Sequence, residues 1–136
     1  MKREIVRDPV FLSIPSEKAT RDDLPVGRDL MDTLAAHRGQ CVGMAANMIG
    51  IRKRILIVNL SLGDFVMFNP VILKKEDVCD TEEGCLSIPG VRSVKRWKTI
   101  EVEYRDMDWK LQRRTFKDLF AQVIQHEMDH FEGKLV

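Results

Sequence analysis

The sequence contains the run His126-Glu127-Met128-Asp129-His130. On an α-helix, positions i and i+4 lie one turn apart on one face, so two imidazoles at this spacing converge on a single divalent cation. Glu127, next to the first imidazole, is then placed to take a proton from a water that such a cation activates, without being a ligand itself. The plain alternative is a pair of surface histidines on an amphipathic helix. Against it, histidine is rare: the chain has three, and two of them fall in this motif.

A catalytic metal centre normally takes three protein ligands and leaves one position open. In zinc peptidases of the H-E-x-x-H kind the third ligand follows the motif, but here Glu132 is the one ligand type after His130, and it lies too near. The third ligand is therefore expected upstream, among His37, Cys41, Cys79, Cys85 and the carboxylates. Cys85 stands out by its setting, Glu82-Glu83-Gly84-Cys85-Leu86-Ser87-Ile88-Pro89-Gly90, where glycines and a proline let the backbone approach a ligand. The competing reading of all three cysteines is that of small buried hydrophobes.

These residues need elements to position them. With 136 residues, 44% hydrophobic and 32% charged, the chain suits one compact domain spanning 1–136. Lys and Arg total 22 against 21 for Asp and Glu, a net charge of +1, too balanced to imply a specific nucleic-acid partner or an anionic membrane. No apolar run reaches the ~20 residues of a membrane span, and no secretory leader is evident. A cytoplasmic protein with reduced thiols is the expectation.

Residues 1–21, punctuated by Pro9 and Pro15, read as irregular. A helix is expected from Asp22 or Asp23 to a stop at Gly39, with Leu30, Met31, Leu34 and Ala35 at helical spacing. RILIVNL (54–60) reads as a buried strand and FVMFNPVIL (65–73) as an extended segment interrupted at Asn69-Pro70. TIEVEYRD (99–106) alternates as a half-exposed strand does, turns at Asp106–Trp109 and returns as KLQRRTF (110–116). The last element is a helix from about Asp118, with that residue as its N-cap, to Phe131. Strands with one helix before and one after give an α+β class with an antiparallel or mixed sheet.

The pair E-G-C-L-S (83–87) and Q-H-E-M-D-H (125–130) resembles the peptide deformylase family. The family's G-x-G-x-A-A-x-Q signature is echoed by C-V-G-M-A-A-N-M at 41–48, in the same order along the chain. The resemblance implies a fold in which β-sheets pack around the C-terminal H-E-x-x-H helix. It implies Cys85, His126 and His130 as metal ligands and Glu127 as general acid/base, with the Leu86 N–H as an oxyanion donor. Val42, Gly43, Glu83, Gly84 and Arg92 would contact the substrate. The implied reaction removes the formyl group from the N-terminal formyl-methionine of new bacterial polypeptides. Fe²⁺ is the implied metal, with Zn²⁺, Ni²⁺ or Co²⁺ as substitutes that an S/N/N ligand set also suits. A monomer is expected, with ribosome contact by basic residues such as Arg92, Lys95, Arg96 and Lys98 conceivable, although those side chains read first as a solvated face.

Three departures from the pattern bear on activity. Met48 stands where the family has a glutamine that donates to the oxyanion, and a thioether cannot donate. Asn47 carries an amide but, in extended chain, would point to the opposite face. Cys41 replaces a glycine and so restricts φ. Gln122, one turn before His126, stands where the family tends to have an apolar residue near the methionine pocket, so another side chain may be preferred if it faces that pocket. The runner-up reading is a metal-retaining, weakly active or inactive binding or regulatory protein. A metallopeptidase ranks third.

Overall fold

A computed structural model of the chain describes residues 1–60, 63–87 and 89–136. Ile88, in the segment expected to turn after Cys85, lies outside them. Five strands, β1 (Gly43–Ala45), β2 (Ile55–Leu60), β3 (Gly63–Gly84), β4 (Val91–Arg105) and β5 (Leu111–Lys117), form one sheet in sequence order. Every pairing is antiparallel. Among the described residues three α-helices accompany it: α1 (Pro9–Leu12), α2 (Leu24–Ala36) and α3 (Asp118–Phe131). This is the expected α+β architecture, and α3 packs on β1, β2, β4 and β5.

The core explains why the central strand reads as it does. Ile55, Leu56, Ile57 and Val58 are all buried, so both faces of β2 are covered, and α2 and α3 both pack against it. A strand covered on both faces needs a continuous apolar run rather than alternation. Phe68, Met67, Ile100, Val102, Ile124 and Phe131 complete the interior.

The strand expectations were too short. β3 continues to Gly84 and β4 starts at Val91, so the two form a long hairpin beyond the Asn69 irregularity. Residues 74–78 are all exposed. A ribbon with solvent on both faces carries no period-two apolar signal, which is why its charged sequence hides it. At Asn69, φ is 53° and the ladder shifts between Phe68 and Val71. The Asn69 amide exchanges hydrogen bonds with the backbone of Ala19 at 2.7 and 2.9 Å.

Other corrections are local. The first segment is not wholly irregular, since Asp8 caps α1 by accepting from Val10 N–H at 3.0 Å. Asp118 is not the cap of α3: Lys117 occupies that place, and no side chain closes the first turn. Segment 46–49 is a 3₁₀ turn rather than extended chain. Cys41 is not among the residues with positive φ, so a side chain there causes no backbone strain. The Asp106–Trp109 turn forms as expected, with Asp106 Oδ1 accepting from Asp108 and Lys110 N–H.

The end of α3 is fastened at Gly133, where φ is 75° and a Cβ would meet the Ser13 carbonyl oxygen at 2.2 Å. No other residue type fits both demands. Nearby, Ser16 N–H donates to the Phe131 carbonyl at 2.7 Å, tying the N-terminal segment to the helix that carries the histidines.

Candidate metal centre and cleft

Gly84 pairs with Val91, so residues 85–90 connect β3 to β4 and Cys85 is the first residue of that connection. On α3, helical geometry turns His126 and His130 to the same side, as their spacing predicts. The structure brings these distant positions together: Cys85 Sγ lies 3.5 Å from His130 Nε2, and the two Nε2 atoms lie 3.2 Å apart. All three ligand atoms fall within 4.8 Å of one another.

A buried ion-pair network holds this cluster. Glu83 Oε1 accepts from His126 Nδ1 at 2.8 Å, which leaves Nε2 aimed at Cys85 and His130. Arg96 donates to both oxygens of Glu83, at 2.7 Å from Nη2 and 3.0 Å from Nε, and to Asp129 Oδ2 at 2.7 Å. Burial alone would raise the Glu83 carboxyl, but the hydrogen bonds from His126 and Arg96 hold it down at about 2. A carboxylate fixed in its charged form keeps the proton of His126 on Nδ1 and orients the ring.

Glu83, expected to contact substrate, lines the cleft, and its carboxylate is engaged by Arg96 and His126. One expectation is corrected here. Arg96 was assigned to a solvated face, yet it is 5% exposed. Its Cα pairs with Cys79, four residues before Glu83, so the long side chain reaches along β3 to the carboxylate. Gln125 was also missed. Its Oε1 accepts from Trp97 N–H at 2.8 Å and its Nε2 donates to the Trp97 carbonyl at 2.7 Å. That clamp sets the register of α3 on β4.

The cluster opens into a cleft of about 710 Å³ whose lining includes Val42, Gly43, Glu83, Gly84, Leu86, His126 and Glu127. Arg92 is not among the lining residues; its Nη2 donates to the Pro89 carbonyl at 3.2 Å. Gly43 also sets the depth of the cleft. A Cβ there would lie 2.5 Å from Val123 Cγ1 and 3.0 Å from Glu127 Oε2, so only hydrogen lets β1 approach α3 this closely.

Glu127 is 4% exposed, and its Oε1 has no hydrogen-bond partner among the described residues. Burial pushes its carboxyl up to about 7, against the lowering effect of charged His126. His126 is shifted upward, burial being outweighed by the charge of Glu127 and the hydrogen bonds to Cys85 and Glu83. Burial and the charge of His126 push His130 downward. A single cation could take the place of the proton shared by this crowded group. An S/N/N donor set with an unpartnered carboxylate beside it fits one divalent ion.

Met48 is 1% exposed and does not line the cleft; its Sδ accepts from Ala45 N–H at 3.4 Å. The Asn47 amide, instead of pointing to the opposite face of a strand, donates to the His130 carbonyl at 3.2 Å. Trp97 and Trp109 lie under Lys75 and Arg105, at 5.1 and 5.9 Å.

The polypeptide deformylase family model matches residues 5–136. A peptide deformylase of Clostridium beijerinckii is 51% identical over 136 residues, covering all of both chains. One from Synechocystis is 35% identical over 150 residues, covering 97% of this chain and 79% of the relative. The chain belongs to the peptide deformylase family. Among solved structures, Met-Ala-Ser-bound class I type b peptide deformylase from Acinetobacter baumannii superposes with a TM-score of 0.89 at 26% identity, covering 99% of this chain and 97% of the other. The Thermotoga maritima peptide deformylase gives 0.89 at 28% identity, covering 99% and 95%. The chain is thus an enzyme of the peptide deformylase family, a metal-dependent family, and carries a group able to hold a metal. No helix among the described residues is long and apolar enough to cross a membrane.

Proposed function

We propose that residues 1–136 act as a single catalytic domain that hydrolyses the formamide of N-terminal formyl-methionine on nascent polypeptides. The observation that carries this reading is the convergence of Cys85, His126 and His130 at a cleft where the buried Glu127 carboxylate has an unpartnered oxygen. Cys85 Sγ and the two Nε2 atoms would hold one divalent ion, Fe²⁺ by family resemblance, which when bound polarises the formyl carbonyl and makes water more acidic. The family relative that binds Met-Ala-Ser supports a peptide of this kind as the occupant of the cleft.

The chain's own groups do the rest. Glu127 takes the proton from the attacking water and returns it to the departing α-amine as the C–N bond breaks, leaving formate and a free N-terminus. The Leu86 N–H donates to the formyl oxygen as negative charge grows on it. Val42, Gly43 and Gly84 lie along the bound peptide, while Glu83 serves by holding His126. Turnover of formyl-Met-Ala-Ser, followed by formate release, tests the reading. Activity is expected with one Fe²⁺ per chain and is lost on chelation; a fully loaded protein that releases no formate refutes it.

Met48 bears on rate. Losing one oxyanion donor typically costs ~10²–10³ in turnover. Met48 Sδ faces the Ala45 N–H rather than the cleft, so the gain in kcat expected of Met48→Gln from the resemblance, at least about tenfold, requires the new amide to turn into the cleft. An unchanged kcat at equal metal content would show that position 48 supplies no donor. A protein that keeps metal but has lost turnover is the second reading, and Met48 is the observation favouring it.

A further inference from the structure

The cleft extends along α3 from the ligand cluster, with Leu119, Gln122, Val123, His126 and Glu127 on its wall. At a rise of about 1.5 Å per residue, Gln122 lies about 6 Å along the helix from His126, and Leu119 about 10 Å. A formyl peptide reacting beside Cys85 and the imidazoles would lay its first side chain against this stretch. Gln122 and Leu119 also line a second cavity of about 220 Å³, together with Thr81 and Trp97. Gln122 therefore stands on the wall shared by the cleft and this second cavity.

Of the polar side chains lining the second cavity besides Gln122, Thr81 and Arg96 are engaged, while Lys98 and Asp118 make no side-chain hydrogen bond or ion pair among the described residues. Thr81 Oγ1 donates to Glu83 Oε2 at 3.3 Å, Arg96 is saturated by Glu83 and Asp129, and Gln125 grips the Trp97 backbone. Gln122 is half-buried, and its amide makes no hydrogen bond among the described residues. A partly desolvated amide is stabilised when an incoming ligand offers it a partner. Thioether sulfur is a weak acceptor, whereas oxidation turns methionine into a polar sulfoxide.

We propose that Gln122 determines specificity by donating its side-chain N–H to the first side chain of the substrate, so that peptides beginning with N-formyl-methionine sulfoxide are substrates of this chain. The proposal rests on the deformylase reading above and requires no new chemistry: water cleaves the same formamide, and the sulfoxide is left unchanged. An apolar wall at this position would offer the sulfoxide oxygen no partner, whereas Gln122 pairs it.

The test compares kcat/KM for formyl-Met(O)-Ala-Ser and formyl-norleucine-Ala-Ser, the second being an apolar isostere of methionine. The ratio of sulfoxide to norleucine peptide is expected to fall at least about tenfold in Gln122→Leu, an effect well below that of a fully buried hydrogen-bonding site. Gln122→Met, similar in length and lacking a donor, should repeat it, and a thermal melt establishes that both variants fold. A smaller change, or one in the other direction, overturns the proposal. Calorimetric binding of Met(O)-Ala-Ser and norleucine-Ala-Ser to the zinc-loaded protein reads the same preference without turnover. If the wild type cleaves no formyl peptide, the deformylase reading fails and this binding ratio alone decides the role of Gln122. A ratio that the substitutions leave within tenfold, or no binding of the sulfoxide peptide, overturns it.

Discussion

Replacing Glu127 by glutamine lowers turnover of formyl-Met-Ala-Ser by about 10²–10⁴-fold while metal content stays at the wild-type level. The two halves of this expectation have separate causes. The atoms able to hold a metal belong to Cys85, His126 and His130, whereas Glu127 Oε1 lies 3.9 Å from His130 Nε2 and has no hydrogen-bond partner among the described residues. Glutamine keeps the shape of the side chain that packs near Gly43 but cannot accept and return a proton. Loss of metal together with activity would instead make Glu127 part of the binding set. Retained activity would move the proton transfer to another group. Metal analysis and single-turnover kinetics on the same preparation separate these outcomes.

The second large effect is on stability. Arg96→Leu is expected to destabilise the fold by about 3–5 kcal/mol, because it leaves a buried carboxylate without its main partner. Glu83 is 7% exposed and would keep only His126 and the longer Thr81 hydroxyl contact at 3.3 Å. Urea unfolding at pH 7 measures the change as a lower midpoint with an unchanged slope. A loss below 1 kcal/mol would show that the network is solvated in solution. Metal affinity should also fall about 10–100-fold, since Glu83 would orient His126 less firmly.

The same network predicts acid sensitivity. The Glu83 carboxyl is lowered from 4.5 to about 2 on folding. Its contribution is therefore complete above the unfolded value near 4.5 and lost as pH falls through the interval down to about 2. By linkage this amounts to about 3 kcal/mol. The wild type should lose stability across this interval, and Arg96→Leu, with a less depressed Glu83, should lose less of it.

Several features were legible before any coordinates because they depend on near neighbours along the chain. The i,i+4 histidines of α3, the apolar run of β2 and the turn at Asp106–Trp109 each follow from local geometry. The outer β3–β4 hairpin was not legible, because its exposed ribbon has no apolar side to betray it. Arg96 was misread for a related reason: among Lys95 and Lys98 it looks like one more solvated cation. Its burial depends on α3 bringing Asp129 over β4 and on β3 bringing Glu83 alongside. Asn47 was misread because a 3₁₀ turn, rather than a strand, aims its amide at the carbonyl of His130.

By itself, then, the sequence determined that a helix would present two imidazoles and a carboxylate at one site, and through its resemblance it pointed to Cys85 and to deformylation. Only the tertiary structure decided which groups hold those residues in place, which face the cleft, and that the Glu83 carboxylate holds His126. The reason is physical: a helix spaces its own side chains within a turn, whereas the partner of a buried charge is chosen by strands and helices that meet only after folding.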